Sequence, residues 1–422
     1  MDSTKNIALQ GGLFLVLVYV FFNTVGLPHG LSYTFLLTPL FLYFSIKAKL
    51  FKAYTYLAIL LIPFALIHFR QGTNLPYYLQ STALFTGAWV FGIAVYQFLK
   101  QEHALPLAMK GILMVNTLLL PIAFLAYFTP WKESWWYLVP ISRGLPIIPR
   151  LMMLTYEASY YSLLLVPVSI YYLLKILFFK EYNAWLILIL LGLPLLLSFS
   201  LGIWAGLAIT LVILFAFHLK WLVLHQRLRI TFIVFASLVL GSLVVLYLFY
   251  PENPLFHRLK NIGGGEDTSA RGRTYEAFEL AWLMAKEKSI WFGVGLGQIK
   301  LMGRDILLNF YHYTNIPEVA RIPNAAAETL AQFGIVGLSL RLGTQLFLFW
   351  RTKVWSNFFR LSLFCFVFVY QFTGSFLINM AEISIWVLAF SPIAKEFNKA
   401  NLREQWAIPV WPWEKKKGAL HG

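Results

Sequence analysis

Apolar residues fall into long unbroken runs, separated by short polar or basic clusters. About 20 mainly apolar residues make a helix long enough to cross roughly 30 Å of hydrocarbon. Runs that qualify are approximately 7–25, 31–48, 54–69, 78–99, 106–128, 157–179, 183–199, 201–220, 228–250, 325–350, 358–378 and 380–396. The runs at 183–199 and 201–220 nearly touch, but together they are too long for one span, and Ser198, Ser200 and Gly202 supply a turn between them. The last run is the weakest, because Glu382 stands at its start. No small-x-small cleavage motif follows the first run, which therefore reads as a retained helix. The pattern predicts an all-α integral membrane protein with about twelve transmembrane helices.

Composition agrees. The 422 residues are 59% hydrophobic and 12% charged, whereas soluble domains average about 25% charged. The net charge of +16 would suggest nucleic acid in a soluble protein. Here much of it sits between apolar runs, which orients helices instead, and no nucleic-acid partner is expected. The clusters are Lys47, Lys49 and Lys52; Lys220, Arg227 and Arg229; Arg351, Lys353 and Arg360; and a tail with Lys395, Lys399, Arg403 and Lys415 to Lys417. An even helix count with a cytoplasmic N-terminus puts all of them inside. The expected organisation is 1–250 as transmembrane helices 1–9, 251–324 as a large extracytoplasmic loop, 325–396 as helices 10–12, and 397–422 as a basic cytoplasmic tail on the lipid headgroups. The lone Cys365 excludes an intrachain disulfide and a thiolate metal site.

The two outer loops carry the candidate chemistry. In the first, Trp131, Trp135, Trp136 and Tyr137 fit an interfacial aromatic belt. Pro140, Pro146 and Pro149 break regular helix and hold Arg143 and Arg150 in irregular backbone. Glu157 stands at the start of the next helix, where capping and function compete; if the segment is helical, Arg150 and Glu157 share a face. In the large loop, Asp267, Thr268 and Ser269 are candidate N-caps. An amphipathic helix is predicted over about 271–288, with Tyr275, Phe278, Trp282 and Ala285 on its apolar face and Glu276, Glu279 and Lys286 on the other. That places Arg271 and Arg273 in a first helical turn, against the macrodipole. A bound phosphate would make that placement favourable. Gly293, Gly295 and Gly297 read as a tight loop against the bundle, since no βαβ unit frames a nucleotide site. His312 lies between aromatics, Arg321 precedes the tenth helix, and Glu328 falls in its first turns, where an intramembrane acid is a functional candidate.

Three segments resemble the O-antigen ligase and polymerase superfamily, bacterial membrane glycosyltransferases that use lipid-linked glycans. They are Arg150 with Glu157-Ala158-Ser159; Ser269 to Arg273 leading to Phe292 to Gly297; and Asn324 followed by Glu328, Gly334, Gly337 and Leu338. The resemblance implies a GT-C-like fold in the bacterial inner membrane with its active site on the periplasmic face. The implied donor is an undecaprenyl-pyrophosphate-linked oligosaccharide, with membrane lipid and a chain-length regulator protein as candidate partners. On this view Arg150, Arg271 and Arg273 hold the pyrophosphate together with Arg321. Glu157 and His312 are alternative bases, and Glu328 orients an arginine. The ligase pattern has a histidine directly before the Asn, where this chain has Pro323. It also has an arginine at the short turn that here reads Ser200-Leu201-Gly202. Both departures favour a polysaccharide polymerase over an O-antigen ligase acting on lipid A-core; a polyprenyl-glycan flippase is the alternative of another class. No acidic cluster or zinc spacing is visible, so catalysis without metal or other cofactor is expected.

Overall fold

A computed structural model of the chain describes residues 26–27, 31–47, 51–139, 147–179, 183–224, 247–248, 254–312 and 320–405. The expected helix at 7–25 and all but 247–248 of the one at 228–250, together with Pro140, Arg143, Pro146 and most of the basic tail, lie outside the described residues. Within them the chain is all-α apart from two-residue ladders. The apolar runs become α1 (Tyr33–Lys47), α2 (Phe51–Arg70), α3 (Leu75–Leu99), α4 (Ala104–Ala126), α5 (Ala158–Phe179), α6 (Ala184–Leu197) and α7 (Leu201–Leu224). The segment expected to be the large loop follows as α8 (Pro254–Gly263), α9 (Thr268–Arg273), α10 (Tyr275–Lys286) and α11 (Ile299–Tyr311). The last helices are α12 (Ala325–Arg351), α13 (Phe358–Tyr370), α14 (Met380–Phe390) and α15 (Lys399–Gln405). Among the described residues five helices are long and apolar enough to cross a membrane: α2 from Lys52, α3, α4, α5 and α12. Stretches of α6, α7, α13 and α14 are apolar but shorter. The described residues are thus mostly helical, with several apolar helices of membrane-spanning length.

The buried α5 is the centre of the bundle. It packs against α4, α13 and α14, while α7 lies on α13 and α3 on α14. Its aromatic and aliphatic side chains, including Tyr160, Tyr161 and Leu163, are almost fully enclosed. The turn expected between α6 and α7 is present, with Phe199 in left-handed backbone and Ser198 and Ser200 buried. α6 carries a π-turn at Leu188–Gly192.

Several local readings are corrected. Trp131 is exposed as a belt residue would be, but Trp135 and Trp136 are buried, and the Trp136 indole donates to Ala123 O at the end of α4 (2.8 Å). Arg150 is not helical. Arg150–Leu151 (β2) pairs antiparallel with Trp136–Tyr137 (β1), so the shared helical face with Glu157 does not exist. The helix expected over 271–288 is two helices, because Thr274 leaves the helical region (φ −114°, ψ −114°) between α9 and α10. Its buried face is only partly the expected one: Ala285 is buried and Phe278 partly so, but Tyr275 and Trp282 are exposed, and Glu276, Ala277, Leu280, Ala281 and Met284 face inward. Small side chains let α10 pack closely on α12, which outweighs aromatic hydrophobicity.

α12 is not continuous. Gly334 (φ 66°, ψ −166°) breaks it, which removes the helical bonds of Ile335 and Val336 to Ala331 and Gln332. The glycine loop supplies both halves of what is lost. Ile335 and Val336 N–H donate to Ile290 and Trp291 O (3.0 and 3.1 Å), and Val294 and Gly295 N–H donate to Ala331 and Gln332 O (2.9 and 3.0 Å). A Cβ on Gly334 would meet Trp291 C at 2.3 Å, and one on Gly293 would meet Gln332 C at 2.4 Å. Irregular backbone at membrane depth is tolerated where protein satisfies it, as here.

Candidate functional site

The start of α5, the strand β2 and the helices α8 and α9 meet the end of α13. Asp267 organises the group. One carboxylate oxygen accepts from Ala270 N (2.7 Å) and caps α9; the other accepts from Arg258 Nε (3.0 Å). Arg273 leaves the end of α9 and donates to Glu157 Oε1 (3.2 Å). Its backbone carbonyl accepts from the Asn324 side chain (2.9 Å), which also donates to Phe372 O (2.7 Å). Asn324 thereby ties the arginine turn to α12, whose N-terminus it caps through Ala327 N.

Arg150 stands over the Tyr137 ring (4.7 Å) and is only 9% exposed. Its Nε is buried and has no hydrogen-bond partner. Burial pushes its guanidinium down from the usual value; Glu157 and Tyr137 resist this, and Arg258 and Arg273 add to it. Burial likewise pushes Arg258 down, against Asp267 and with Arg273. Three guanidinium groups therefore lie within electrostatic reach of one another, beside two carboxylates, Glu157 and Asp267. Crowded like charges with an unsatisfied buried donor are what an anion would relieve. Tyr156 and Tyr370 line the same space. Burial holds the Tyr156 phenol well above its ordinary range, so it stays a hydroxyl.

The other expected site residues are placed differently. Arg271 and Arg273 lie in the last turn of α9, where the macrodipole favours cations, so the first-turn argument for a bound phosphate is overturned. Arg271 is also tied down: it pairs with buried Glu276 and donates to Gly265 O (3.2 Å). Tyr311 holds the other Glu276 oxygen (3.0 Å). His312 is exposed in left-handed backbone at the end of α11, away from the buried arginines. Arg321 is exposed at the edge, within electrostatic reach of Tyr156, Lys300 and Glu328. Glu328 points inward, accepting from Gln332 Nε2 (2.8 Å) and Leu377 N (2.7 Å). Among the described residues no three His, Cys, Asp or Glu side chains are grouped to hold a metal ion.

Sequence reasoning missed Arg258, Tyr156 and Tyr370, which carry no motif. It also missed an inner polar group. Arg341, past the break in α12, reaches Glu382 (2.7 Å), Gln371 (2.9 Å) and Thr329 (3.3 Å). A signal existed, since an arginine inside an apolar run is a functional candidate by default.

Residues 186–342 match the family described as O-antigen ligase. The match covers Arg258, Asp267, α9, α10, the glycine loop, Asn324, Glu328 and the break in α12; Arg150 and Glu157 lie before it. No curated protein matches the chain. Over residues 186–342 the chain is thus similar to the O-antigen ligase family, which supports the resemblance to the O-antigen ligase and polymerase superfamily.

Proposed function

We propose that the protein is a polysaccharide polymerase of the bacterial inner membrane. It transfers a glycan from undecaprenyl pyrophosphate to the hydroxyl of an acceptor lipid-linked repeat unit on the periplasmic face. One observation carries the reading: Arg150, Arg258 and Arg273 converge with the Arg150 Nε unpartnered. A diphosphate suits that space. It accepts from several guanidinium forks at once, and charge-assisted bonds of this kind stabilise a leaving anion without a metal.

In the reaction the acceptor oxygen bonds to the anomeric carbon. The bond from that carbon to the diphosphate oxygen breaks, and its electron pair leaves on the diphosphate. Arg150 and Arg273 receive the developing charge, with Arg321 at the open edge. Glu157 holds Arg273 in place, and Arg271 braces α9 through Glu276. A flippase also needs a cationic cavity, and transporters use broken helices at their substrate sites. The break in α12 is instead filled by the backbone of residues 290–295, which favours the enzyme.

Purified protein with a lipid-linked donor and acceptor should lengthen the glycan, with or without EDTA and without ATP. Glycan that crosses vesicle membranes without lengthening would establish the flippase. Activity lost in EDTA and restored by Mg²⁺ would overturn the metal-free reaction.

A further inference from the structure

The transfer must also remove a proton from the acceptor hydroxyl, and neither base expected from the sequence is well placed. Glu157 is held by Arg273, and His312 faces solvent. A second acidic site lies beneath the arginines. Glu328 of α12 and Glu382 of α14 are within electrostatic reach of each other, with Arg341 interacting with both.

Hydrogen bonding there is incomplete in one direction. Glu382 Oε1 accepts from Arg341 Nη2 (2.7 Å) and from the Trp386 indole (3.0 Å), but its Oε2 is buried without a donor. Gln332 gives its amide hydrogen to Glu328, and its own Oε1 is buried without a donor. Both residues are more than nine-tenths buried. The two orphan atoms are acceptors, so the site lacks hydrogens, not lone pairs. Two carboxylates beside one buried guanidinium leave the inner group one positive charge short, and a low-dielectric site resists two ionised acids close together.

The other charged and titratable neighbours are known. Arg321 and Lys300 approach Glu328 from the outer side, Arg321 exposed and Lys300 half-buried. Tyr370 of α13 is within electrostatic reach of Glu382 and also of Arg273 and Glu157, so it lies between the inner acids and the arginine group.

We propose that Glu328 and Glu382 form a shared-proton pair that takes up the proton released by the acceptor hydroxyl. The O–H bond of the acceptor breaks, its oxygen keeps the electron pair and forms the new glycosidic bond, and the proton passes to a carboxylate of the pair. The catalytic half of this inference rests on the polymerase reading; the proton site itself does not.

Infrared spectroscopy of the purified full-length protein, with no glycan present, tests the site. The expected result is a C=O band of a protonated carboxylic acid that is removed by base, shifts in D2O, and is lost in Glu328→Gln or Glu382→Gln. A wild-type protein with no such band, or a band unchanged in both variants, would overturn the pair, and the wild-type measurement needs no variant to fold. Polymer assays then test its use. Each Gln variant should lower kcat about a hundredfold and abolish the acidic limb of the pH profile, with donor KM little changed and partial rescue by Glu382→Asp. An unaltered kcat and pH profile in a variant that lacks the band would overturn the catalytic role. Should wild-type protein lengthen no glycan, the polymerase reading fails while the infrared result still decides the proton site.

Discussion

At the scale of single residues, the arginines of the outer segment divide by what their forks already hold. Arg271 is saturated by Glu276 and Gly265, whereas Arg150 keeps a buried Nε without a partner. Arg273 holds a single carboxylate. Exchange to lysine keeps charge and loses the bidentate geometry. Arg150→Lys and Arg273→Lys are therefore expected to reach the membrane in normal amount and to lower polymer formation about a hundred- to a thousandfold. Arg271→Lys should be nearly silent in rate, and Arg271→Ala should lower the amount of folded protein by stranding Glu276. Polymer measured per unit of membrane-inserted protein checks all four. Equal activity in the Arg150 and Arg273 variants would remove the diphosphate from this space. The sequence marked Arg150, Arg271 and Arg273 by type alone. It did not separate them, because the separation depends on Glu276 and Glu157, which reach them through the break at Thr274 and across 116 residues.

At the scale of elements, the unit that builds the site is the broken α12 with the glycine loop against it. The loop takes up the two donors and the two acceptors left by the two helical bonds lost at the break, and it approaches so closely that no side chain fits. Gly334→Ala meets both obstacles at once, positive φ and a Cβ at 2.3 Å from backbone. The strain alone is on the order of 1–3 kcal/mol, before any displacement of the loop. The expected outcome is a large fall in thermal stability of the purified protein. Gly343→Ala in the same helix, where a Cβ meets nothing within 4 Å, should be tolerated. A Gly334→Ala protein as stable as wild type would mean that the break is not needed. Periodicity identified α12 as an apolar helix and Gly334 and Gly337 as motif positions, but it treated the run as continuous. An apolar run looks the same whether its backbone bonds are local or borrowed from a distant loop.

At the scale of the whole molecule, the proposed topology rests on the basic residues that flank helices, and on that proposal α8 to α11 lie on the outer face. Gly264 is exposed at the end of α8. In intact cells an impermeant thiol reagent should label Gly264→Cys and leave Lys417→Cys unlabelled, while buried Cys365 stays silent. Labelling of the Lys417→Cys protein alone would invert the arrangement and place the arginine space in the cytoplasm.

The sequence by itself determined the membrane class, most helix positions among the described residues and the resemblance to glycan ligases and polymerases. Each of these depends on local quantities: the length of an apolar run, the residues that flank it, and short motifs in order. Tertiary structure alone decided which arginine is held and which is open, which face of α10 is buried, and that α12 is broken. It alone also brought Arg341 onto Glu382, with Glu328 within electrostatic reach of both. Those facts depend on pairings between residues far apart in the chain, where burial and the supply of hydrogen-bond partners are set by the neighbouring element and not by the residue's own type.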